Sequence, residues 1–135
     1  MNHFSTIGRR TIALGATSAL VVAGATVAVA APVLADTERH GACSQGNARY
    51  DFDVDRDDGR FEVDLEVESN RPGQKWRLKL FHDGERVLST VRRTDREGEV
   101  EYDRDLRNTA GKDAFRARAV NLGNGEVCTA RIVRR

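Results

Sequence analysis

Histidine, serine and cysteine, the side chains that most often carry nucleophilic, acid–base or metal chemistry, are scarce in this chain. It has three histidines and two cysteines in 135 residues. Beyond residue 35 the serines are Ser44, Ser69 and Ser89, while His40 lies in a polar lead and His82 beside a turn dipeptide. No Gly-rich phosphate loop, zinc-ligand spacing or nucleophile elbow is present. Carboxylates are abundant, yet they alternate along strand-like segments that offer a flat face and no pocket for an acid and base pair. These absences predict a protein that is not an enzyme. An excess of one charge is lacking as well: 22 Lys and Arg meet 21 Asp and Glu, which gives no reason to expect nucleic acid as partner. Lysine is confined to Lys75, Lys79 and Lys112, an arginine bias that fits a high-GC genome.

What is present begins with a segment that reads as an export signal over residues 1–35. Arg9 and Arg10 supply a positive start, an apolar stretch rich in Ala, Val, Gly and Thr runs from Thr11 to Ala31, and Val33-Leu34-Ala35 offers a cleavage site. Its Gly and Thr content argues against an uncleaved anchor. Arg9-Arg10-Thr11-Ile12 loosely resembles a twin-arginine signal, without the Phe-Leu-Lys that usually follows. Cleavage makes Asp36 the first residue, and without Arg9 and Arg10 20 cationic side chains face 21 anionic ones, a net charge of −1. The expectation is a secreted, extracellular protein with no membrane attachment once the signal is gone. Residues 36–47 form an N-terminal lead containing Cys43, and residues 48–135 form one β-domain. In an oxidising destination Cys43 and Cys128 are expected to form a disulfide, which restricts the unfolded chain by roughly 4 kcal/mol on the loop-entropy argument. Two such distant cysteines are too few for a structural zinc site.

Period-two alternation carries the fold. Phe61, Val63, Leu65 and Val67 interleave with Glu62, Asp64, Glu66 and Glu68, and Trp76, Leu78 and Leu80 with Lys75, Arg77 and Lys79, as in half-buried β-strands. Asp58-Gly59, Asp83-Gly84 and Asn124-Gly125 are each a preferred dipeptide for a two-residue hairpin. With these loops Val54 faces Val63 and Phe52 faces Leu65; Leu80 faces Val87 and Trp76 faces Val91; Ala119 faces Ala130 and Ala117 faces Ile132. Every register sets small or apolar residues opposite one another, and a one-residue slip spoils each. The prediction is seven strands near residues 48–56, 60–69, 75–82, 85–94, 99–106, 114–121 and 126–133, an all-β sandwich.

Phe115-Arg116-Ala117-Arg118-Ala119-Val120-Asn121 resembles the sixth strand of a fibronectin type III or related immunoglobulin-like domain, with Phe115 where that family usually has Tyr. Trp76 lies on the third strand, as in immunoglobulins. The chain as a whole also resembles small secreted proteins of high-GC Gram-positive bacteria. A fibronectin-like order implies one sheet from the first, second and fifth strands and another from the third, fourth, sixth and seventh. On that scheme carboxylates collect on the first sheet, with Asp51 opposite Glu66, Asp53 opposite Asp64 and Asp55 opposite Glu62, pairs that cost some tenths of a kcal/mol each. Screening, a cation or a basic partner offsets this. Asp53, Asp55, Asp57 and Asp58 are candidate calcium ligands, since Asp53-Val54-Asp55-Arg56-Asp57-Asp58-Gly59 resembles the opening of an EF-hand loop, although the Gly comes one residue late and Asp64, not Glu, takes the twelfth position. A polar hairpin tip explains the same residues. The second sheet displays arginines around outward apolar residues Phe81, Leu88, Val120 and Val133, with Arg86 opposite the Phe81 ring. Arg77, Lys79, Phe81, Arg86, Arg116, Arg118 and Arg131 are therefore the expected contact set for an extracellular protein or anionic envelope polymer. Two other readings are a small-ligand carrier, by resemblance to the secreted apoproteins of enediyne antibiotics, which carry two disulfides, and salt-sensitive self-association of acidic sheet on basic sheet.

Overall fold

Two tight turns show how local chemistry sets this fold. Asp58 and Gly59 hold φ at 44° and 75°, and Asp83 and Gly84 at 50° and 87°. Successive positive φ values make the hairpin turns whose twist matches that of their flanking strands, and Asp and Gly tolerate them. The computed structural model describes residues 37–135, so the expected export signal over residues 1–35 and its expected cleavage site lie outside the described residues.

Those residues form eight strands: β1 (Glu38–Ala42), β2 (Arg49–Asp57), β3 (Arg60–Glu68), β4 (Lys75–His82), β5 (Glu85–Arg93), β6 (Glu99–Arg107), β7 (Asp113–Asn121) and β8 (Val127–Arg134). They make two antiparallel four-stranded sheets, ordered β1-β2-β3-β6 and β5-β4-β7-β8, in a sandwich-like arrangement. The expected division of strands holds, but the count of seven does not. The additional strand is β1, which lacks apolar alternation and owes its conformation to pairing along β2, from Glu38 opposite Asp53 to Ala42 opposite Arg49. Gly41 makes room for this: a Cβ there would sit 3.1 Å from the Tyr50 hydroxyl oxygen. Tyr50 thus lies across a glycine and packs on the core.

The core is the set of residues that alternation placed inward. Phe52, Val54, Phe61, Val63, Leu65 and Val67 from one sheet meet Trp76, Leu78, Leu80, Phe115, Ala117, Ala119 and Ile132 from the other, all buried. Phe61 and Phe115 touch edge to face across the sheets, with centroids 5.0 Å apart. Each buried Val, Leu or Phe contributes about 1.5–3 kcal/mol. Cys43 and Cys128 form the expected disulfide, joining the loop after β1 to β8. Polar ties surround it: Glu126, buried, accepts the N–H groups of Asn47 at 3.0 Å and Ala48 at 3.2 Å, and Ser44 Oγ accepts the Val127 N–H at 2.9 Å. No helix among the described residues is long and apolar enough to cross a membrane.

The three hairpin registers fare differently. At Asp58-Gly59 the expected pairs form, with Val54 opposite Val63 and Phe52 opposite Leu65. At Asp83-Gly84 the pairing follows expectation only as far as Phe81 opposite Arg86; a bulge then sets Leu80 against Leu88, Leu78 against Thr90 and Trp76 against Arg92, correcting Val87 and Val91 as partners. The extra residue reverses the strand's faces, so Leu88 packs on the core and Val91 is exposed at 47%. At Asn124-Gly125 the register slips by two residues, to Ala117 opposite Ala130, Ala119 opposite Cys128 and Phe115 opposite Ile132. Asn121 causes this. Its Oδ1 accepts the N–H groups of Gly123 at 2.8 Å and Asn124 at 3.3 Å, so the Asn121 and Glu126 pair closes a longer loop. A slip of two leaves every side chain on its face.

Candidate functional site

The outer face of the β5-β4-β7-β8 sheet is cationic from edge to edge. Its rows can be read from the pairing: Arg93 and Lys75; Val91, Arg77, Val120 and Val127; Ser89, Lys79, Arg118 and Thr129; Arg86, Phe81, Arg116 and Arg131. These rows hold eight Lys or Arg and no Asp or Glu. All seven expected contact residues, Arg77, Lys79, Phe81, Arg86, Arg116, Arg118 and Arg131, lie on this one face. Three details differ from expectation. The cation on the Phe81 ring is Arg116, 4.2 Å from its centroid, and not Arg86. Leu88 points inward. Arg92 lies on the core side of β5, where it sits 4.7 Å over the Tyr102 ring and donates to the Glu101 carbonyl at 3.1 Å, bridging the edges of the two sheets. Arg93 replaces it on the outer face, a substitution that only the bulge reveals. Val91 joins the surface for the same reason, while Lys75 stands on that face as the alternation of β4 places it. Beside Phe81, Gly84, Ala114, Phe115, Arg116 and Arg131 line a shallow depression of about 280 Å³.

The other sheet carries the opposite charge. Across its strands run Glu38, Asp53, Asp64 and Asp103; His40, Asp51, Glu66 and Glu101; Asp55, Glu62 and Asp105; and Glu68 with Glu99, which lie beside Arg49. These rows hold twelve carboxylates, and the row that ends the face adds Asp57 as a thirteenth beside Arg60 and Arg107. Of the carboxylates on this face, only Glu38 has a basic group of the described residues within ion-pair distance, His40 Nδ1 at 3.5 Å. Asp64 sits at the centre of the grid. Loss of solvent, followed by the charges of Glu101, Asp103, Glu66 and Asp53, raises its pKa to about 6, and its Oδ1 is buried without a donor from the protein. Glu66 and Asp53 are raised as well, each by burial first and neighbouring carboxylates second. Of the four candidate calcium ligands, Asp53 lines a depression with Glu38, Asp51, Asp64 and Glu66, and its Oδ1 accepts the Val54 N–H at 2.7 Å. Asp55, Asp57 and Asp58 are exposed along the hairpin and do not close around a common point with it.

A third group was invisible to sequence spacing. The donor atoms of His82, Asp83 and Asp113 lie within 4.8 Å of one another at the end of the basic sheet. Burial alone pushes the Asp113 carboxyl upward, but hydrogen bonds from the Thr109 hydroxyl, His82 and the Thr109 N–H outweigh it and hold the group below the usual carboxylate range. His82 and Asp83 are adjacent at a turn, whereas Asp113 is contributed by β7, which pairs with the end of β4. The only local signal was a histidine preceding Asp-Gly.

No family model and no curated protein matches this chain. Among solved structures it is similar to the crystal structure of chicken MD-1 complexed with lipid IVa, with a TM-score of 0.31 and 13% identity over 72% of this chain and 97% of that one.

Proposed function

We propose that this protein is a secreted, non-enzymatic binding domain, an immunoglobulin-like sandwich related in arrangement to fibronectin type III modules, whose basic sheet holds an anionic polymer of the cell envelope. One observation carries the reading: eight cationic side chains in rows on a flat outer face without a single carboxylate. Arg77, Lys79, Arg86, Arg118 and Arg131 make no ion pair among the described residues, so their charge is available to a ligand. Strands about 4.8 Å apart set these cations at spacings that a chain of phosphates or carboxylates can follow, and arginine forks suit either group. Valines between the rows supply apolar contact. Against the alternative of a small-ligand carrier stands the space between the sheets, filled by Trp76, Phe52, Phe61, Phe115 and their neighbours, all fully buried.

The test is binding of fluorescent polyphosphate and poly-glutamate at low and at physiological salt. Arg77→Glu with Arg116→Glu is expected to weaken binding at least about tenfold and to flatten its salt dependence, given roughly 1 kcal/mol per cation near an anionic surface. Arg60→Glu with Arg107→Glu, on the opposite sheet, serves as the control. Equal affinity in both double variants, or no polyanion binding alongside capture of an extracellular protein, overturns the polymer assignment. A second reading has its own support: the acidic face of one copy is complementary to the basic face of another, which makes salt-sensitive self-association the competing use of the same surface.

A further inference from the structure

Four polar side chains close a ring at the Asp83-Gly84 end of the molecule. His82 Nε2 lies 2.6 Å from Asp113 Oδ1, which accepts from Thr109 Oγ1 at 2.8 Å; that hydroxyl is 3.2 Å from Asp83 Oδ2, which is 3.4 Å from His82 Nε2. The members are held from outside the ring. The His82 imidazole stacks on Phe115 with centroids 4.5 Å apart, and Asp83 Oδ1 accepts the Ala114 N–H at 2.8 Å. Asp113 is fully buried, and its Oδ2 receives no hydrogen bond from the protein. The ring member is its Oδ1, which also accepts the Thr109 N–H at 3.0 Å, so the carboxylate is held in place by three donors on one oxygen.

We propose that His82, Asp83 and Asp113 form a binding site for a zinc-class divalent cation, with the Thr109 hydroxyl or a water completing its shell. One imidazole and two carboxylates are a donor set for zinc, whereas calcium and magnesium prefer oxygen alone. Ligands about 2.0–2.1 Å from a tetrahedral ion stand roughly 3.3 Å apart. The 3.2 and 3.4 Å edges already meet that spacing. The 2.6 Å edge between His82 and Asp113 has to open by some tenths of an ångström as the ion displaces the proton between them, and so does the 2.8 Å edge between Asp113 and Thr109 where that hydroxyl is the fourth ligand. Two carboxylates and a neutral imidazole then balance the charge of a divalent ion within the site. Asp83, with its side chain 39% exposed, provides the way in from solvent. Both cysteines are tied in the disulfide and offer no competing thiolate.

The test is calorimetric titration of the chelator-stripped full chain with zinc chloride, with the His82 ring nitrogens followed by NMR. One saturable equivalent is expected, with a displaced His82 Nε2 resonance. His82→Gln should weaken binding by at least about tenfold, and His40→Gln should leave it unchanged. Because Asp113→Asn removes a buried anion and risks the fold, Asp83→Asn is the second variant; it keeps the Ala114 contact through Oδ1 and should weaken zinc binding about tenfold. Absence of saturable binding, or unchanged affinity in folded His82→Gln or Asp83→Asn, overturns the site.

Discussion

Asp64 shows how much one residue's chemistry depends on its neighbours across the sheet. Its opposition to Asp53 followed from the Asp58-Gly59 turn alone, but the carboxylates of Glu101 and Asp103 reach it only because β6 pairs on the other side of β3. With the pKa raised to about 6, the folded state binds the Asp64 proton more tightly than the unfolded chain does. Stability contributed by this group therefore falls as pH rises from the ordinary carboxylate value of 3.8 to about 6, and is flat above that. Asp64→Asn is expected to raise the melting temperature at pH 7.5 by several degrees, about 1 kcal/mol for a domain of this size after solvent screening. At pH 4 the same substitution should change little. A stabilisation equal at both pH values would show that removal of charge is not its source.

Elements were legible where their signals were local, and illegible where a side chain or an extra residue intervened. The dipeptides Asp58-Gly59 and Asp83-Gly84 build the turns they suggest, since both residues of each take positive φ. Asn124-Gly125 does not close a two-residue loop, because Asn121 binds the loop backbone ahead of it. That loop depends on one buried amide: Asn121→Ala removes two hydrogen bonds to backbone donors and should destabilise the protein by about 1–2 kcal/mol in urea unfolding. Wild-type stability in that variant would mean that the Asn121 N–H to Glu126 carbonyl bond holds the loop without the side chain. On β5 the bulge beside Leu80 decides the faces. No residue around Val87 marks it, and its consequence is large: Arg92 leaves the outer surface to cover Tyr102, and Val91 takes a place among the cations.

At the scale of the molecule, nearly equal numbers of acids and bases conceal a separation of faces, with carboxylates dominating the outer face of one sheet and eight lysines and arginines, without a carboxylate among their rows, on that of the other. Such a body should associate face to back when screening is weak. Size-exclusion chromatography at about 10 mM and about 1 M salt, where the screening length falls from roughly 30 Å to 3 Å, is expected to show larger species only at low salt. One monomer peak in both rules out self-association and leaves the basic face to a different anionic partner. The separation itself was already written in the chain, because alternation puts one residue set outward whatever the partner strand, and tight turns join strands of like charge. The sequence by itself thus determined seven of the eight strands, the buried residues outside β5, the partnership of Cys43 with Cys128 and the sign of each face, while the division into two sheets followed from the fibronectin-like resemblance. Only the tertiary structure decided that β1 exists, since its pairing needs the open edge of β2. It alone decided the register beyond Leu80, where an unpaired residue costs little locally and changes every face after it. And it alone brought Asp113 to His82, because a contact between side chains 31 positions apart depends on β7 lying beside β4, which no local pattern encodes.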